Sequence, residues 1–171
     1  VAQTRAFSTL FLGTMGLAVH WSRRAELTGH LAKLPELGRR VMERSASLAE
    51  DLGRDADADR FYWLGSGSRY GLACEASLKM KEMSLSHSEP FHFMEFRHGP
   101  MSMINEHTLV AGLLSEKNLT YEAKVLSEMQ SLGATVTSLG ESDALVAFRS
   151  GVPECGRGVL YLPTLQLMAF H

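Results

Sequence analysis

The sequence has little of what would commit it to a special class. Only two cysteines, Cys74 and Cys155, occur in 171 residues, so no disulfide framework staples the fold and nothing calls for an oxidising compartment. Neither sign of charge is in excess. Seventeen Lys and Arg stand against nineteen Asp and Glu, a net charge of −2, which leaves no basic footprint for nucleic acid. A long hydrophobic run is also missing. Residues 7–21 come nearest, but Ser8, Thr9, Thr14 and His20 interrupt them and they are too short to span a bilayer. The same stretch has no basic leader and no cleavage site, so it does not read as a signal peptide. No internal repeat or low-complexity tract is visible. These absences point to a cytoplasmic protein that contacts neither membrane nor nucleic acid.

What is present is ordinary globular usage, 45% apolar and 21% charged, at a length that buries one real core. Residues 4–21 are apolar nearly all round and predict a buried helix, with Gly13 and Gly16 permitting close contact. Pro35 suits the start of a second helix over 36–52. The polar run 54–60 reads as a loop. Residues 61–64 form a short apolar run ending in Gly65-Ser66-Gly67, which predicts a buried strand entering a tight turn. A helix over about 70–87 follows. Further strands are predicted at 109–114, 134–139 and 144–148, with an amphipathic helix over 120–132 stopped by Gly133. Strands alternating with helices imply an α/β fold, a mostly parallel sheet covered on both faces. Ligands then bind where the turns leave the strands.

The chemistry concentrates in two places. Glu75, Lys79 and Glu82 stand at i, i+4 and i+7 on the predicted helix and share a face. From spacing alone they read as an ion-paired, solvated helix face. A carboxylate beside an ammonium is also a kit for moving protons on a sugar. His98, in the turn before Gly99-Pro100, is either an ordinary loop histidine or a group titrating near neutral pH. The turn Ser66-Gly67-Ser68 offers hydroxyls and backbone N–H groups at a helix start, suited to holding a phosphate or simply to capping the helix through Ser68. His87, Glu89, His92, Glu95 and His98 are rich in metal-ligand types, but their spacing fits no standard zinc motif, and no metal is expected. Cys74 and the methionines Met80, Met83, Met94, Met101 and Met103 read as packing residues.

These motifs, in this order, resemble sugar isomerase (SIS) domains. The resemblance rests on Leu64-Gly-Ser-Gly-Ser68, then Glu75-x-x-x-Lys79-x-Lys81-Glu82, then Glu95-x-x-His98-Gly-Pro100. The opening residues 3–7 and the closing residues 161–171 also look like that family. The sequence is most similar to the second such domain in the isomerase part of glucosamine-6-phosphate synthase and to the aminosugar-phosphate deaminases.

The resemblance implies a three-layer αβα sandwich of flavodoxin-like type with four to five strands, and a helical 159–171. It implies an aldose–ketose isomerase or deaminase acting on a hexose 6-phosphate or its 2-amino derivative. In the family, Glu82 matches the carboxylate that shuttles a proton between C1 and C2. Lys79 matches the lysine beside the reacting oxygens, and His98 the histidine that opens the ring and reaches a neighbouring subunit. Ser66, Gly67 and Ser68 are candidate substrate contacts. Residues 115–118 depart from the serine- and threonine-rich second phosphate loop of domains that grip phosphate, which places the main phosphate grip in a companion domain. No cofactor is implied. Residues 1–171 are expected to be one SIS domain, the C-terminal half of a tandem pair cut before its tail, in a homodimer. Two other readings stay open: a non-catalytic sensor of sugar phosphates, and a domain that only completes a dimer.

Overall fold

The computed structural model describes residues 3–55 and 57–171. Val1, and Ala56 in the predicted 54–60 loop, lie outside the described residues. The sheet is built first by β1 (Arg60–Gly65), whose side chains are buried on both faces. Phe61 and Trp63 point into one core with Leu109, Ala111 and Leu113. Tyr62 and Leu64 point into the other with Val110 and Leu114. A strand buried on both sides has no polar alternation to show, which is why it appears as a continuous apolar run.

Five strands pair in parallel in the order β2-β1-β3-β4-β5. The others are β2 (His87–Phe91), β3 (Thr108–Leu113), β4 (Thr135–Gly140) and the two-residue β5 (Val146–Ala147). The chain leaves β1 for β2 on one side and returns to β3 on the other. The topological switch point therefore lies between β1 and β3. One sheet face carries α3 (Leu34–Gly53), α4 (Ser68–Ser84) and α7 (Leu162–Phe170); the other carries the short α5 (Phe93–Phe96) and α6 (Leu119–Ser131). This is the expected three-layer α/β sandwich. The predicted helical 159–171 is a 3-10 turn over Gly158–Tyr161 running into α7.

Several local expectations fail for physical reasons. The helix predicted to run to residue 87 stops at Ser84, because Leu85 turns left-handed at φ 59°. Residues 87–91 then form β2, an edge strand in which Pro90 is tolerated because β2 pairs only with β1. Buried Trp63 Nε1 donates to Ser88 Oγ at 2.6 Å, and Ser77 Oγ donates to the Ser88 carbonyl at 2.8 Å. This short polar chain fixes α4 against β1 and β2. Ser68 is not a cap: it is the first residue of α4, and Gly67 precedes it at φ 61° without a side-chain cap bond.

The helix α1 (Thr4–Ser22) forms as expected but is not buried. Val19 is its only buried residue, while Leu10 is 71% and Trp21 78% exposed. Phe7 and Phe11 alone reach the core that lies under α7. Gly13 and Gly16 face open space, so no close contact uses them. A short helix, α2 (Ala25–Leu31), follows unannounced. Of the methionines, Met80 is core, but Met94 and Met103 are exposed. No described helix is long and apolar enough to cross a membrane.

Candidate active site

Lys79 sits in the second half of α4 and is buried, as is Glu75 one turn before it. Its Nζ donates to Glu82 Oε2 at 2.7 Å and stands 3.6 Å from Glu75 Oε1. The i, i+4, i+7 reading therefore holds as a real cluster, and it is not a solvated face. Glu82 differs from its two neighbours in keeping 39% of its side chain exposed. These three residues, together with Gln3 and with Ala6, Phe7 and Leu10 of α1, line an open groove of about 400 Å³.

Burial pushes the Glu75 carboxyl above the usual carboxylate range, against the pull of the Lys79 charge. Burial alone would lower Lys79. The hydrogen bond it donates to Glu82 and the charge of Glu75 outweigh it and hold the ammonium above its ordinary value. Lys79 is thus a fixed positive charge near neutral pH, suited to steadying a developing oxyanion rather than to taking a proton. Glu82, 39% exposed on the groove and hydrogen-bonded to that charge, is the member of the trio that a molecule in the groove can reach. A larger groove of about 520 Å³, lined by Gly16, Val19, His20, Arg23, Ala25, Thr28 and Leu31, has no carboxylate in its wall and offers no comparable chemistry.

The other candidate residues lie elsewhere. The turn over Ser66, Gly67 and Ser68 leaves β1 at the carboxyl edge of the sheet. Gly65 is required there, because a Cβ would meet the Arg69 carbonyl oxygen at 2.5 Å. Ser66 Oγ accepts from the Phe93 N–H at 3.3 Å, tying the turn to the chain after β2. Ser68 and Glu82 are fourteen positions apart on α4, about 21 Å at the helical rise, farther than a hexose 6-phosphate extends. His98 is exposed just beyond α5, on the sheet face opposite α4. Its backbone N–H donates to Glu95 O at 2.9 Å, and no described contact joins it to Glu82. Among the described residues, no three His, Cys, Asp or Glu side chains stand close enough to hold a metal ion.

Sequence reasoning missed the wall of the groove supplied by α1, because an apolar helix shows no sign of which side it offers. It also missed a buried charge network at the carboxyl edge. Arg69, at the start of α4, pairs with Glu154 and stands 3.9 Å from Glu122. Arg157 stands 3.0 Å from Glu116 and 3.7 Å from Glu141. Tyr161 closes the network underneath, donating to the Leu114 carbonyl at 2.6 Å. Arginine in a glycine-rich turn was the one available signal.

Residues 56–144 match the family model of the SIS domain. The chain belongs to the SIS-domain family. It is 33% identical over 176 residues to the isomerizing glutamine–fructose-6-phosphate aminotransferase of Halobacterium salinarum, covering 98% of this chain and 29% of that protein. It is 30% identical to the protein of the same name from Clostridium perfringens, again over 29% of that relative. The SIS chain thus spans under a third of the length of these curated relatives. Among solved structures it is similar to the glucosamine-6-phosphate deaminase of Thermotoga maritima, with a TM-score of 0.75 and 28% identity over 99% of this chain and 51% of that one. The C-terminal domain of the glucosamine-fructose-6-phosphate aminotransferase of Francisella tularensis shares the fold at a TM-score of 0.71 and 18% identity, covering 87% of this chain and 44% of that one.

Proposed function

We propose that this SIS domain is the proton-transfer half of a cytoplasmic phosphosugar isomerase or aminosugar-phosphate deaminase, acting on a hexose 6-phosphate or its 2-amino derivative. The observation that carries the reading is the buried Lys79 ammonium held at 2.7 Å from the half-exposed Glu82 carboxylate on an open groove. Glu82 takes the proton from the carbon next to the open-chain carbonyl or imine. The electron pair moves onto the oxygen or nitrogen, where the Lys79 charge steadies it. A proton passes from the hydroxyl or amine on the deprotonated carbon to the new oxyanion, Glu82 returns its own proton to the former carbonyl carbon, and the net change is a shift of one carbon-bound hydrogen and one heteroatom-bound proton with no redox partner. No metal or organic cofactor is required for such a step.

Two further parts belong to this reading. His98 is exposed on the face opposite Glu82, so ring opening at this groove draws the histidine from a second copy of the chain, in a homodimer. The main phosphate grip comes from a companion SIS domain in the same polypeptide, this domain being the C-terminal one of the pair. The Ser66-Gly67-Ser68 turn, about 21 Å from Glu82 along the helix, serves a different contact from the one made by the reacting carbons. Relatives that are isomerizing aminotransferases, and a structural neighbour that is a deaminase, support an enzyme over a sensor.

The test is solvent hydrogen exchange by the full-length protein. Fructose 6-phosphate or glucosamine 6-phosphate incubated in D₂O should gain deuterium at C2 of the aldose form. Specific binding of these sugars with no exchange would leave the sensing reading in its place.

A further inference from the structure

We propose that Arg97 and Glu128 are positioning residues for His98. Their ion pair holds the turn before Gly99-Pro100 at the angle from which the imidazole enters the groove of a second copy of the chain. His98 has to open the sugar ring, as read above, for the pair to bear on turnover.

His98 has little support of its own. Its side chain is exposed. The ring makes no described hydrogen bond, and only the backbone N–H is engaged, to Glu95 O at 2.9 Å. The chain is anchored on either side of it. Phe96 is fully buried, its ring centroid 5.1 Å from that of Tyr62 and 5.2 Å from that of Phe91. Met101 and Ile104 pack on the same core. Between these anchors Gly99 turns at φ 139° and adds no side chain to steady the turn. Ser102 donates to the Gly99 carbonyl through its N–H at 2.9 Å and its Oγ at 2.7 Å. Those bonds close the turn on itself and tie it to nothing else.

Among the described residues, Arg97 alone links the stretch 97–100 to another element by a hydrogen bond or ion pair. Its Nη2 donates to Glu128 Oε1 at 3.0 Å, and its Nε stands 2.8 Å from Glu128 Oε2. Glu128 belongs to α6, which Val125, Leu126 and Met129 seat in the core. Glu128 Oε2 is buried and makes no hydrogen bond, so the guanidinium is its one described partner. The two side chains are 35% and 27% exposed, and a pair so placed adds little to stability. What it adds is direction. Two contacts to a planar fork fix the orientation of Arg97, where a single contact would let it swivel. Arg97 is joined to His98 by one peptide bond, and a small misplacement of a reacting group costs turnover steeply.

The experiment follows deuterium uptake from D₂O with the full-length protein. Uptake is read at C1 of fructose 6-phosphate and at C1 of its 5-deoxy analogue, which cannot close a ring. In Arg97→Met, uptake into fructose 6-phosphate should fall roughly threefold to tenfold further than uptake into the analogue. Glu128→Gln should move the ratio the same way, and it decides the matter if Arg97→Met fails to fold. Arg97→Lys should recover part of the loss, because an ammonium restores the charge without the fork. Combining Arg97→Met with Glu128→Gln should do no more harm than the worse single change, since both remove one interaction. Equal losses on the two sugars in folded variants, beside a selective loss in His98→Ala, overturn the proposal and leave the isomerase reading standing. An unselective His98→Ala overturns the ring-opening role itself and the positioning role with it.

Discussion

Arg69 and Lys79 are both buried cations on α4, ten residues apart, and both face two carboxylates. Their partners come from different places. Lys79 is matched by Glu75 and Glu82 of its own helix, so the pairing costs no loop closure and leaves the outward side of the groove open. Arg69 is matched by Glu122 and by Glu154, 85 residues away, so its pairing draws separate loops together and closes the crevice between them. The same chemistry is a poised site at one end of the helix and a clamp at the other. Burial of an ion pair does not distinguish them; the origin of the partners does.

The largest expected effect falls on the open end. Glu82→Gln in the full-length protein should cut turnover by about 10²–10⁴, with sugar-phosphate binding nearly unchanged. Near-wild-type exchange of the C2 hydrogen in that variant would break the comparison, making Lys79 as structural as Arg69.

Stability should show the reverse pattern. Arg69→Met strands the buried Glu122 carboxylate and should cost about 3 kcal/mol or more in urea unfolding. Lys79→Met should cost about 1–2 kcal/mol, because Glu82 relaxes into water and Glu75, whose carboxyl already sits high, takes up a proton. Equal losses would erase the distinction.

The closed end also carries a pH signature. Burial pushes the Tyr161 hydroxyl up to about 12 from an ordinary 10, although Arg69 and Arg157 pull it down. A raised value means that the unfolded chain ionises first. The contribution is fully present below pH 10 and is lost as pH rises from 10 through about 12. It amounts to roughly 2–3 kcal/mol at the top of that window. Tyr161→Phe should remove this alkaline loss while costing about 1 kcal/mol at neutral pH through the missing bond to Leu114. An unchanged alkaline transition in the variant would assign the loss to another group.

The smallest effect tests what the open end lacks within one chain. His98→Ala should lower turnover of a cyclic substrate by roughly tenfold more than turnover of an analogue unable to cyclise. Equal losses on both would mean general damage to the Gly99-Pro100 turn.

Much of this was legible in the residues. The run 61–64 and its glycine turn announced a buried strand. The spacing of Glu75, Lys79 and Glu82 announced a shared face, because helical periodicity is local. The edge strand β2 was not legible: Pro90 argues against a strand, and the helix before it ends without glycine at Leu85. Only pairing with β1, reinforced by Trp63 and Ser88, makes residues 87–91 extended. The buried helix expected at 4–21 failed for the opposite reason. Apolar composition sets what a helix can bury, not what lies beside it.

The sequence by itself determined the alternation of strands and helices, the two-sided burial of the sheet and the grouping of three charged residues on α4. These depend on contacts a few residues apart, where backbone geometry allows few arrangements. Only the tertiary structure decided that Lys79 is buried while Glu82 opens on a groove walled by α1, and that His98 lies across the sheet from both. It also decided that Glu154 folds back onto Arg69. Those outcomes depend on how distant segments share one core, and the distance along the chain between Arg69 and Glu154 carries no period from which to read it.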